Sequence, residues 1–186
     1  ITHFIKDEFK IKDTKFSNFV FNKKKLTLSE IKGGLIFYGK GNCASCHSGP
    51  LFSDLNFYSI PFPQIGFGKN GFGVDYGKFN VTFNPDDLYK FRTPPLYNVE
   101  NTFPYSHSGS IYDLKESIIY HFDPLRNYKP EEYSEIDRNE YYKKLTSSGS
   151  EMELIPYLDD NELDNLVDFL KTLSFPGKDQ KLTKAN

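Results

Sequence analysis

Both cysteines of this chain fall within one short stretch, Cys43-Ala44-Ser45-Cys46, and His47 follows at once. A Cys-x-x-Cys pair can close a disulfide, act as a redox couple, supply half of a zinc site, or anchor a haem. The redox couple belongs beside a βαβ pattern, which is missing here. Zinc needs two further ligands at suitable spacing, and the remaining histidines, His3, His107 and His121, form no paired cluster. The pattern with His directly after the second Cys is the attachment sequence of haem c. Two thiols add across the porphyrin vinyl groups, and the adjacent imidazole reaches the iron as proximal ligand. Cys43, Cys46 and His47 are therefore assigned to a single covalent haem c.

The elements around that stretch must hold it still. Ahead of it, "TLSEIKGGLIFYG" starts with a capping-box pattern, Thr27 and Glu30, and puts Leu28, Ile31, Leu35 and Tyr38 on one helical face. Gly33 and Gly34 lower helix propensity and make sense where another backbone crosses closely. Behind it, residues 51–84 are rich in Gly, Pro and Phe and read as loop with a short hairpin, "KNGF" being a tight turn. "GFGKNGFG" lacks the Lys-Ser/Thr pair and strand-helix setting of a phosphate loop. Further helices are expected over residues 114–122 and within "PEEYSEIDRNEYYKKL". The last is the clearest: Asp159 caps it, Leu163, Leu166, Val167 and Leu170 form its apolar stripe, and Pro176-Gly177 stop it.

Composition narrows the setting. A chain of 186 residues suits one domain. Its net charge of -2 shows no basic face of the kind that nucleic acid requires, and no apolar run approaches the roughly 18 residues of a membrane span. With 18 Phe, 13 Tyr and no Trp, much of the core must be aromatic, which suits a wall around a large flat ligand. The adjacent carboxylates Asp86-Asp87 and Asp159-Asp160 read as turn and cap residues rather than an acid/base pair.

Two stretches, "FSNFVFNKKKLTLSEIKGGLIFYGKGNCASCHSGPLFSD" and "FRTPPLYNVENTFPYSHSGSIYDLKESIIYH", resemble in order and spacing the carboxy-terminal haem domain of bacterial di-haem cytochrome c peroxidases and their MauG-type relatives. "NELDNLVDFLKTL" is similar to the closing helix of that family. The resemblance implies a mostly α, cytochrome c-like domain with long irregular loops, its first and last helices crossing near the haem. It divides the chain into a linker or extension from an upstream domain (1–25), the haem domain (26–175) and a tail (176–186). It implies electron transfer within a di-haem peroxidase-like system, with a peroxidase or MauG-like enzyme and a haem-carrying accessory subunit as alternatives. A second haem domain or subunit and a small redox donor are the implied partners, and the implied location is periplasmic or cell-surface.

The resemblance also nominates residues. Relatives often carry Arg at the position of Tyr97, so Arg92 becomes the candidate for the haem propionates. Backbone carbonyls of Thr102 and Pro104 match those that contribute to a calcium site between domains. His121 stands where peroxidase-type relatives carry a distal Met and MauG-like ones a Tyr. It is the expected sixth ligand, with Met152 and Tyr120 as alternatives, and bis-His ligation would lack the Met that raises potential in cytochromes c.

Overall fold

The computed structural model describes residues 1–3, 13–65, 73–149 and 156–175. The tight turn expected at "KNGF", the candidate ligand Met152, the helix stop at Pro176-Gly177 and the tail lie outside these residues.

The fold is mostly α, as the sequence implies. The described helices are α1 (Lys15–Asn22), α2 (Leu28–Tyr38), the short α3 (Phe79–Thr82), α4 (Leu114–Ile119), α5 (Glu135–Ser147) and α6 (Asp160–Lys171). Local chemistry sets their starts. Thr14, Thr27 and Asp159 close capping boxes on α1, α2 and α6, while Asp113 and Ser134 cap α4 and α5. Strands β1 (Phe57–Tyr58) and β2 (Phe91–Arg92) pair antiparallel, Phe57 opposite Arg92 and Tyr58 opposite Phe91. The sheet thus joins distant segments instead of forming a local hairpin, and its loop wraps β2 against the segment after His47.

The crossing of α2 and α6 organises the core. A Cβ at Gly33 would stand 1.9 Å from the Asn165 carbonyl oxygen, and one at Gly34 would stand 3.3 Å from the Phe169 ring. The two glycines admit the α6 backbone, as their pairing suggests. Around the crossing, Ile36, Phe37, Leu163, Leu166, Phe169 and Leu173 are buried. Each such side chain contributes roughly 1.5–3 kcal/mol by leaving water. Aromatic edges knit this core: Phe37 and Phe16 lie 5.2 and 5.4 Å from Phe169, and Phe52 lies 6.0 Å from Phe37. Polar ties flank the crossing, with Ser29 Oγ donating to Asp168 at 2.6 Å and Lys40 paired with Glu162.

Residues 14–22, assigned from sequence to the extension, form a helix whose start is docked on this core. Thr14 is buried, and the Phe16 N–H donates to the Thr172 carbonyl at 3.0 Å. A second cluster of Ile111, Tyr120 and Tyr141, with Phe62 and Tyr128 against it, sits between α4 and α5.

Candidate haem site

The Cys43–His47 segment leaves α2 through a tight corner. The Gly41 N–H donates to the Ile36 carbonyl at 2.7 Å, and a Cβ at Gly41 would come within 2.9 Å of that oxygen and 3.3 Å of Cys43 Sγ. Asn42 follows in the left-handed region at φ 51°, and Cys43–Ser45 form a 3-10 turn. The His47 N–H then closes on the Cys43 carbonyl at 2.8 Å. One turn of chain therefore presents both thiols and the imidazole together, which covalent attachment with proximal ligation requires.

The thiols are free, not joined in a disulfide. Burial, with Cys46 close by, pushes the Cys43 thiol up to about 12. Redox-active Cys-x-x-Cys pairs have lowered thiol pKa values, so this environment speaks against that chemistry.

His47 is oriented by the loop behind it. Gly49 turns at φ 70°, the Asp54 N–H returns to the Cys46 carbonyl at 2.8 Å, and the Phe52 carbonyl arrives 3.1 Å from His47 Nδ1. A carbonyl only accepts, so Nδ1 carries the proton and Nε2 keeps the lone pair. The same arrangement holds at His121, just past the end of α4, where Nδ1 lies 2.9 Å from the Ser117 carbonyl. Burial lowers the pKa of His47, and burial with His47 close by lowers that of His121 to about 4. Both rings are then neutral at pH 7, the form that ligates iron. The two imidazoles, 74 positions apart in sequence, thus sit in mutual electrostatic reach, His47 held by the Phe52 and Pro94 carbonyls and His121 by that of Ser117.

Each ring is largely enclosed by protein yet retains some accessible surface, as do the two cysteines. Phe62 packs its ring at 5.5 Å and 86° to His121, and Leu96, Tyr97 and Phe122 border the same core that Cys43 and Ala44 pack against. Two thiols on one turn, two neutral imidazoles and an aromatic wall fit a haem c.

The other nominated residues distribute differently. Tyr120 points into the second cluster, its ring 5.5 Å from Phe62, and is buried with Ile111 and Tyr141. His107 stacks on Phe91 at 3.9 Å and bonds Asp75 at 2.9 Å. His3 is exposed. Arg92 is exposed on β2. Thr102 and Pro104 flank a cis Phe103-Pro104 bond, and the Thr102 hydroxyl donates to the Val99 carbonyl at 3.2 Å. Among the described residues, no three His, Cys, Asp or Glu side chains converge as a metal site.

Sequence reasoning missed three groups beside the site. Asp54 accepts from Tyr58 at 2.7 Å; burial opposes its ionisation, but bonds from Tyr58, Asn56 and Thr93 hold it below the usual carboxylate range. Tyr58 reaches both that carboxylate and Cys46. Lys144, on α5, is buried, donates to the Phe62 carbonyl at 3.0 Å, and lies 5.1 Å over the Phe91 ring. None follows a motif, because each contact is made by loops that only the folded chain brings together.

No family model matches the chain. It is 32% identical over 123 residues to a cytochrome-c peroxidase of Pseudomonas sp. (strain SCT), covering 54% of this chain and 32% of that protein. It is 26% identical over 187 aligned positions to the methylamine utilization protein MauG of Paracoccus denitrificans, covering 90% of this chain and 48% of MauG. Among solved structures, a MauG-like protein associated with microbial copper homeostasis superposes with a TM-score of 0.67 at 26% identity, covering 87% of this chain and 51% of that one. The diheme peroxidase BthA from Burkholderia thailandensis, at 24% identity and a TM-score of 0.68, shares the fold. The chain spans about a third of the length of the curated relatives it matches first.

Proposed function

We propose that this chain is a member of the bacterial di-haem cytochrome c peroxidase and MauG family, which its similarity to those proteins supports, and that it carries one covalent haem c and transfers electrons within a di-haem peroxidase-like system. Cys43 and Cys46 would form the thioethers, and His47 and His121 would hold the iron. The single observation behind this reading is the matched pair of imidazoles, each fixed through Nδ1 on a backbone carbonyl. Backbone anchoring selects the tautomer and ring orientation, as outer-shell partners do for metal-bound histidines. Haem supplies the one-electron chemistry when bound.

The chain's own residues hold that chemistry to transfer. With His47 and His121 both holding the iron, no position would be left for peroxide, and Phe62 packs its ring against His121 to hold it in place. Asp54 places a carboxylate near His47 and bonds Tyr58 beside Cys46, which favours the oxidised, more positive state. Location in the periplasm or at the cell surface, and work beside a second haem domain, follow from the same reading. Acid-acetone extraction followed by mass spectrometry tests attachment: the reading expects the haem to stay with the peptide containing Cys43 and Cys46. Haem leaving with the solvent from an unmodified peptide overturns it.

A further inference from the structure

Glu116 holds the third position of α4, the place that Glu30 holds in α2 and Glu162 in α6. Those two carboxylates fold back to accept the N–H of their capping residue, at 2.7 and 3.0 Å. Glu116 does not. Asp113 caps α4 with its own side chain, and the Glu116 carboxylate has neither a hydrogen bond nor an ion pair among the described residues. It is nevertheless half-buried, and burial, with Asp113 close by, raises its pKa. A carboxylate withdrawn from water without a partner costs free energy that a bound group can recover.

Glu116 lines a cleft of about 530 Å³, a volume within the range of small-molecule sites. Tyr120, Tyr128 and Tyr133 bring phenol rings to its wall, and Ile65 and Ile111 bring apolar surface. Tyr128 and Tyr133 lie 4.9 Å apart at 53°, and the charge of Glu116 is felt at both Tyr120 and Tyr133. The other charges of the lining are cancelled locally, Arg126 by Asp160 at 2.8 Å and Lys129 by Glu132 at 3.0 Å. What remains is one negative charge among aromatic rings.

That remainder selects the occupant. An anion would meet Glu116 with no cation to offset it, and a neutral apolar molecule would leave the carboxylate unpaired. A bare metal ion needs several converging ligands, and no three His, Cys, Asp or Glu side chains gather among the described residues. A positive charge on an apolar body suits both features, because aromatic rings attract a diffuse cation and the carboxylate neutralises it. We propose that this cleft binds a small organic ammonium ion, with Glu116 as its counter-ion and Tyr120, Tyr128 and Tyr133 as its aromatic wall. None of Cys43, Cys46, His47 and His121 lines the cleft, so the inference stands apart from the haem reading.

The haem-loaded chain is titrated by calorimetry with benzyltrimethylammonium, whose quaternary nitrogen has no lone pair to offer iron, and separately with benzylsulfonate, which has a similar shape and the opposite charge. The cation is expected to bind saturably at one site, about tenfold or more tighter than the anion. Glu116→Gln and Tyr133→Leu are each expected to weaken it about tenfold while keeping the far-ultraviolet circular dichroism of wild type. Glu135→Gln removes the same charge from an exposed position outside the cleft and is expected to leave binding unchanged. Equal affinity for the two probes, no saturable binding of the cation, or wild-type affinity in a folded Glu116→Gln overturns the proposal. So does an equal loss in Glu135→Gln, which marks a diffuse response to net charge. Should Glu116→Gln fail to fold, Tyr133→Leu decides by the same criterion.

Discussion

Replacing Gly33 by alanine adds one methyl group at the point where α2 meets α6, and the structure sets its cost. The new carbon would stand 1.9 Å from the Asn165 carbonyl oxygen, 2.6 Å from that carbonyl carbon and 2.7 Å from Phe169 Cβ. Two of these are backbone atoms of a helix, so no rotamer change relieves the clash. The helices must part by more than about 1 Å, and a radial gap of that size forfeits a quarter to a half of each facing dispersion contact. Ile36, Phe37, Leu166 and Phe169 all lose contact at once. Overpacking of this kind costs typically about 1–3 kcal/mol, and immovable backbone puts Gly33 at or above the top of that range. Against it stands the roughly 1 kcal/mol by which alanine exceeds glycine in helix propensity. The net expectation is a loss of about 2–3 kcal/mol, or roughly 5–10 °C in Tm for a chain of this size. Gly34→Ala is the internal control. Its carbon would stand 3.3 Å from the Phe169 ring, which can tilt, so its packing cost and propensity gain nearly cancel and it is expected within about 1 kcal/mol of wild type. Urea denaturation of the haem-loaded protein, followed by far-ultraviolet circular dichroism, compares the two. Gly33→Ala as stable as Gly34→Ala would refute the crossing geometry.

Three further expectations follow from other groups. Asp159→Ala removes the capping box of α6, where the Asp159 carboxylate accepts from the Glu162 N–H at 2.8 Å, and is expected to cost about 1 kcal/mol in thermal denaturation, with Asp159→Asn retaining most of it. Burial lowers the Lys144 pKa to about 8, so between pH 8 and 10.5 the unfolded chain binds more protons at this site than the folded one. Its contribution to stability therefore rises with pH across that window, by an amount on the order of 3 kcal/mol in full. Denaturation at pH 7 and pH 10 should show wild type gaining on Lys144→Met; an unchanged gap contradicts a buried, neutralising lysine. Finally, the haem-loaded chain by itself should turn over hydrogen peroxide slowly in a steady-state assay, since the proposed ligation by His47 and His121 would leave its iron no open position.

Much of this architecture is legible in residue order because its signals are local. Thr27 with Glu30 and Asp159 with Glu162 announce two helix starts, and both capping boxes are present. Gly33-Gly34 announces a close crossing, and Asn165 and Phe169 occupy it. Periodicity alone was ambiguous on α2, because an outer stripe from Leu28 to Tyr38 is as regular as a core stripe. The buried face is Gly33, Ile36 and Phe37, where small size matters more than hydrophobicity. The β1–β2 pairing was illegible, since two-residue strands separated by more than thirty residues leave no alternating pattern. At the site, Cys43, Cys46 and His47 carry a motif. His121 carries none of its own and stood out only through family resemblance, its partner His47 being set by the fold. Asp54, Tyr58 and Lys144 act through contacts that loops create, so their residue types alone said nothing.

The central claim is that two backbone-anchored imidazoles from distant segments hold one iron. The direct measurement is the low-temperature electron paramagnetic resonance spectrum of the haem-loaded chain beside His121→Ala and Met152→Ala. The account predicts a low-spin signal in the wild type and in Met152→Ala, and conversion to high spin in His121→Ala with covalent haem retained. A low-spin spectrum that survives His121→Ala and is lost in Met152→Ala would contradict it and place the distal ligand at Met152.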